Sequence, residues 1–185
     1  MQDTQERQPL SEKLLPLVLT AIVIIADQIS KALVVRYIPR LSPFSDEGVI
    51  SVIGDYVRLI HVRNKAVAFS LGSGLSAPVR LRLFAIMPLV IIIFMLIFYF
   101  RSNVFTRLQR WAVCGIIGGG LGNLIDRFFR PEGVVDFVDC YFFNIFGMER
   151  WPTFNVADMS VVICALLFAL SFFLQAKDSS KGDKQ

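Results

Sequence analysis

Apolar positions in this chain are gathered into four long blocks separated by polar segments of very unequal length. A membrane-crossing helix needs ~20 mostly apolar residues at 1.5 Å of rise each. The blocks therefore predict spans at about 14–35, 83–100, 108–127 and 154–174. The second is interrupted only by Pro88, and the third crosses once Leu108 in front and Phe128-Phe129 behind are included. Within it, Gly115 with Gly119 and Gly118 with Gly122 give the spacing of small residues that lets helix backbones approach closely in lipid. Between the first two spans the period changes. VISVI and YVRLI flank Gly54-Asp55 and read as a hairpin with a tight turn. Residues 127–154 read as a second long loop, with interfacial aromatics (Tyr141, Phe142, Phe143, Trp151) and with Asp136 and Asp139 on it.

Composition agrees with this pattern. Of the 185 residues 55% are hydrophobic and only 18% charged, which suits a single membrane-embedded domain rather than a soluble core. The net charge of +4 is spread without a long basic run, so no nucleic-acid partner is expected. Cys114 and Cys164 fall inside apolar blocks and only Cys140 in a loop, which argues against a disulfide framework. The first block carries Asp27 and Lys31 and exceeds the ~7–15-residue core of a cleavable signal, so it reads as a retained span. Lysine and arginine are denser in the termini and the 101–110 connector than in the two long polar segments. Both termini are thus expected in the cytoplasm and both long segments outside.

That orientation has a chemical consequence. Asp27, Asp126, Asp136, Asp139 and Asp158, with Asn64, Asn123 and Asn155, all fall in one layer at the outer membrane surface. Ionisable groups at such depth face a bundle interior, where they pair or act. Two facing carboxylates that share one proton can hydrolyse a peptide without metal, one activating water while the other donates to the carbonyl. With a single histidine, His61, and no Cys/His spacing, no metal or other cofactor is expected.

Each acid also has a structural reading. Asp27 can pair with Lys31 one turn on, Asp126 with Arg127 at a helix end, and Asn123 with Asp126 can cross-link helices. Asp139 fits a solvated loop acid, Asp158 a helix cap, and His61 a plain strand residue. Spacing leaves open which two of the five acids form a dyad. Ser73 in its glycine loop lacks a nucleophile elbow, and Ser30 and Lys31 point about 100° apart on a helix. A four-helix ion or proton conductor is the alternative to an enzyme, although spans two and four offer no acidic relay to the cytoplasm.

Several motifs in order resemble one family: Asp27-Gln28-Ile29-Ser30-Lys31, Val62-Arg63-Asn64 with Ala68-Phe69-Ser70, GGGLGNLIDR, Gly133-Val134-Val135-Asp136-Phe137, and Phe154-Asn155-Val156-Ala157-Asp158. The chain is similar over nearly its whole length to lipoprotein signal peptidase (signal peptidase II), an aspartyl protease of the bacterial inner membrane. The resemblance implies a mainly α membrane protein with four spans, a small extracytoplasmic sheet or cradle near 40–75, and a periplasmic loop or helix. It implies Asp136 and Asp158 as the catalytic dyad. Asp27, Lys31, Asn64, Gly119, Asn123, Asp126, Arg127 and Asn155 would be its supporting residues. The implied substrate is a diacylglyceryl-modified prolipoprotein cut just before its lipidated cysteine. Membrane lipids and the cyclic peptide inhibitor globomycin are further implied partners, and the enzyme is expected to be a monomer. Three features depart from the family pattern: Ala66 two places after Asn64, a lengthened Arg130-Pro131-Glu132, and Met159 where a serine often follows the second acid.

Overall fold

The computed structural model describes residues 9–42, 44, 47–64, 74, 76, 78–79 and 82–182. Ala66, Ala68-Phe69-Ser70 and Gly72-Ser73 of the expectations above lie outside the described residues. In chain order the elements are α1 (Leu10–Leu14), α2 (Leu17–Tyr37), β1 (Ile50–Ile53), β2 (Val57–Asn64), a π-helical turn (Arg82–Ile86) running into α3 (Met87–Arg101), α4 (Arg107–Phe129), β3 (Val134–Ile145), β4 (Met148–Arg150) and α5 (Val156–Gly182). Among the described residues, four helices are long and apolar enough to cross a membrane. The wide turn before α3 relieves the clash that the Pro88 ring would make with the preceding helical turn.

The spans are inverted relative to a soluble bundle. On α2, Val18, Ile22, Ile25, Ile29 and Leu33 recur at helical spacing and are exposed, while Thr20, Val23, Asp27, Lys31 and Val34 are buried. Apolar side chains thus face outward to lipid, and the polar ones face the bundle. Helix α4 is central: 56% of its most apolar stretch is buried, against 17–22% for the other spans. Its start is fixed by a capping box between Thr106 and Gln109.

The glycine stripes of α4 serve two different partners. A Cβ on Gly115 would collide with Cys164 of α5, and one on Gly119 with the Ala157 carbonyl oxygen. A Cβ on Gly118 would lie 3.0 Å from Val23 of α2, and one on Gly122 would lie 2.7 Å from Asp27 Oδ2. Small residues therefore let α2 and α5 close on α4 from two sides.

The hairpin expected around Gly54-Asp55 is β1–β2, with Gly54 at φ 48°. The sheet extends further than expected. Residues 134–150, read as loop, supply β3 and β4, and the order β1-β2-β3-β4 is antiparallel throughout. Asp136 and Asp139 are accordingly strand residues, with Val62 opposite Asp136 and Arg58 opposite Asp139. The first four residues of β3 are all buried, so the segment lacks the in–out alternation that marks a strand in sequence. Val135 and Phe137 pack with Val34 and Ile38 at the end of α2, which seats the sheet on the helices.

Candidate active site

The site rests on a buried ionic base. Asp27 and Lys31 share the buried face of α2, one turn apart, and pair at 2.8 Å with no solvent exposure. Lys31 also reaches Asp126 of α4 at 3.1 Å. The pair expected between Asp126 and Arg127 is not what forms; Asp126 pairs instead with Lys31 and, at 2.8 Å, with Arg130. Two cations then balance two carboxylates, and such buried charges require that balance. Gln28 fills the remaining positions, donating to Asp126 Oδ1 at 3.2 Å and to the Gly122 carbonyl at 3.1 Å. Neither Gln28 nor Arg130 was among the expected site residues. The signal for Arg130 is its spacing, four residues after Asp126.

This base positions the two elements above it. Asp126 Oδ2 accepts from the Val135 N–H at 3.1 Å, anchoring β3 one residue before Asp136. Asp27 Oδ1 accepts from the Ala157 N–H at 3.0 Å, anchoring α5 one residue before Asp158. Each supporting acid thus spends an oxygen on the backbone next to one dyad candidate.

Asp136 and Asp158 line one cavity of about 540 Å³ together with Asn64, Asn123, Arg127 and Met159. Asn155 joins the two acids. Its side-chain amide donates to Asp136 Oδ1 at 2.7 Å, and its backbone N–H donates to Asp158 Oδ2 at 3.1 Å. Asn64, two residues beyond Val62 on β2, donates to Asp136 Oδ2 at 3.0 Å. Asn123 donates to Asp158 Oδ1 at 2.7 Å. Burial, and then the neighbouring Asp158 carboxylate, push the Asp136 carboxyl up to about 6, and the hydrogen bonds from Asn64 and Asn155 offset part of that rise. A carboxyl poised near neutrality beside a second carboxylate in a cleft is the arrangement expected of an acid–base pair.

The other candidates separate from this site. Asp139 is buried and bonded to Arg58 at 2.7 Å and Arg150 at 2.7 Å, so it clamps β2, β3 and β4 instead of being a solvated loop acid. His61 is a buried residue of β2 whose Nδ1 lies 2.9 Å from the Ile38 carbonyl oxygen, tying strand to helix end. Gly119 is not among the residues lining the cavity; its missing Cβ lets the start of α5 approach. Asp158 does cap α5, as its structural reading expected, and it lines the cavity as well.

Residues 19–174 match the family model described as "Signal peptidase (SPase) II". The chain is 47% identical over 169 residues to a lipoprotein signal peptidase of Treponema pallidum (strain Nichols), covering 91% of this chain and 88% of that one. It is 50% identical over 167 residues to a lipoprotein signal peptidase of Treponema denticola, covering 90% and 93%. A solved bacterial membrane enzyme superposes with a TM-score of 0.70 at 26% identity, covering 88% of this chain and 90% of that one.

Proposed function

The chain belongs to the signal peptidase II family, and from that premise we propose that it is an aspartic endopeptidase with Asp136 and Asp158 as its dyad. The substrate is a diacylglyceryl-modified prolipoprotein, and the bond cut is the one before the lipidated cysteine. The observation that carries this reading is the pair of carboxylates lining one cavity and bridged by a single residue, Asn155.

Hydrolysis then proceeds as general acid–base chemistry. One carboxylate removes a proton as water attacks the carbonyl carbon. The other, protonated, donates to the carbonyl oxygen, since two close carboxylates do not both ionise. Collapse of the tetrahedral species breaks the C–N bond, and a proton passes to the departing cysteine nitrogen. Lipid chains of the substrate lie along the exposed apolar wall beside the cavity, where Val162 and Ile163 open toward the bilayer. Asp27, Lys31, Asp126 and Gly119 hold the dyad-bearing elements, and Arg127, Asn64, Asn123 and Asn155 contact the cavity or the acids. This reading sets the chain in the bacterial inner membrane, both termini cytoplasmic and the site near the outer face, with globomycin occupying the same cavity.

The test is cleavage of a lipidated precursor by the purified, detergent-solubilised protein, read as a gel shift. Asp136→Asn and Asp158→Asn should each abolish release of the signal peptide. Near-wild-type processing by either variant would remove that acid from the dyad.

A further inference from the structure

Asp136 and Asp158 share one cavity but not the same surroundings. Lys31 Nζ, which can only donate, lies 2.9 Å from Asn123 Oδ1. The Asn155 amide donates to the same oxygen at 3.1 Å. These two donors fix the orientation of the Asn123 amide, so its nitrogen must be the atom 2.7 Å from Asp158 Oδ1. An ammonium thus polarises an amide that points its N–H at one member of the pair. The second oxygen of Asp158 accepts from the Asn155 backbone N–H at 3.1 Å, and the Asp158 N–H returns a bond to Asn155 Oδ1 at 3.0 Å. Asp158 therefore sits in the first turn of α5, where the helix favours negative charge.

Asp136 has a different setting. It lies on β3, outside the first turn of any helix, and takes its bonds from the side-chain amides of Asn64 and of Asn155, the residue that caps α5. Among the described residues, Lys31 from α2 and the Asp158 carboxylate act on Asp136, and Arg127 from α4 acts on both acids. Arg127 lines the cavity beside both acids.

We infer that Asn123 is a positioning residue that, with Lys31 behind it, makes Asp158 the ionised member of the dyad and Asp136 the member that carries the proton. In the first step Asp158 accepts the proton from water, and the proton already on Asp136 goes to the carbonyl oxygen. The inference rests on the dyad proposed above.

Asn123→Leu keeps the shape of the side chain and removes the relay. Loss of the donor disfavours ionised Asp158, so the acidic limb of the kcat–pH profile should move up by about one pH unit. At neutral pH kcat should fall at least about tenfold while KM stays within about twofold. An unmoved profile, or a shift confined to the basic limb, would overturn the inference. A second measurement is independent of that variant's folding. The infrared carbonyl band of a protonated carboxylic acid, recorded at about pH 5, should disappear in Asp136→Asn and persist in Asp158→Asn. The reverse assignment would also overturn it. Cleavage by the two dyad variants would instead sink the proposed function, so the two failures are distinguishable.

Discussion

Asn155 and Asp158 hold each other. The backbone N–H of Asn155 donates to the Asp158 carboxylate at 3.1 Å, and the backbone N–H of Asp158 donates to the Asn155 side chain at 3.0 Å. This is a reciprocal helix cap in which the capping acid is also half of the proposed dyad. The same Asn155 side chain reaches Asp136 at 2.7 Å, so the start of α5 is built from the parts that align the two acids.

Capping and alignment can be separated at Asn155. Serine retains an N-cap oxygen but has no amide to reach Asp136. Asn155→Ser should therefore be more stable than Asn155→Ala by about 1 kcal/mol in thermal unfolding. Both should lose most turnover. Equal melting of the two variants would show that the cap contributes nothing there.

Lys31 is the hinge of charge balance in the buried base. Among the described residues, Lys31→Met would leave the fully buried Asp27 and Asp126 with one ion-paired cation, Arg130 on Asp126. Breaking a buried pair from one side costs about 3–5 kcal/mol. The variant should melt far below wild type in detergent and should regain stability on acidification, as one carboxylate protonates. A melting temperature within a few degrees of wild type at neutral pH would contradict the geometry.

Gly119 and Gly120 are neighbours with opposite expectations. A Cβ at Gly119 meets the Ala157 carbonyl, backbone one residue before Asp158, whereas one at Gly120 meets the flexible end of Ile92 at 2.7 Å. Gly119→Ala should displace α5, cost about 1–3 kcal/mol and lower kcat at least about tenfold. Gly120→Ala should stay near wild type in both. Matched effects in the two variants would rule out backbone approach at Gly119 as the cause.

The raised carboxyl of Asp136 makes a stability prediction as well as a catalytic one. In the folded chain it titrates at about 6, above its ordinary 3.8. Below pH 4 its proton is held in both states and the contribution is intact. As pH rises from about 4 to 6 the folded state must give up a proton it holds tightly, and stability is lost. Asp136→Asn removes that loss, so it should melt higher than wild type above pH 6. The gap should open between pH 4 and 6 and level off at on the order of 2–3 kcal/mol. Parallel curves for the two proteins across this range would refute the shift.

Much of the scaffold was legible in the residues alone, because span length, small-residue spacing and turn chemistry are local properties. The four apolar blocks, the Gly54-Asp55 hairpin and the gathering of acids in one layer follow from chain order and helix rise. Strand β3 did not follow. Residues 134–137 are buried on both faces, so their pattern carries no alternation, and only pairing with β2 makes them a strand. Partner choice was also beyond the sequence. Arg127 adjoins Asp126 in the chain, yet Lys31 from α2 and Arg130 one turn on are the cations that pair with it. Asp139, two residues past a strand neighbour of the site, is consumed by Arg58 and Arg150. Sequence determined the four spans, the hairpin and the layer in which their polar residues gather, since those depend on neighbours along the chain. Only the tertiary structure decided which carboxylates are neutralised by cations and which two remain in the cavity, because a charge's state is set by what surrounds it in space.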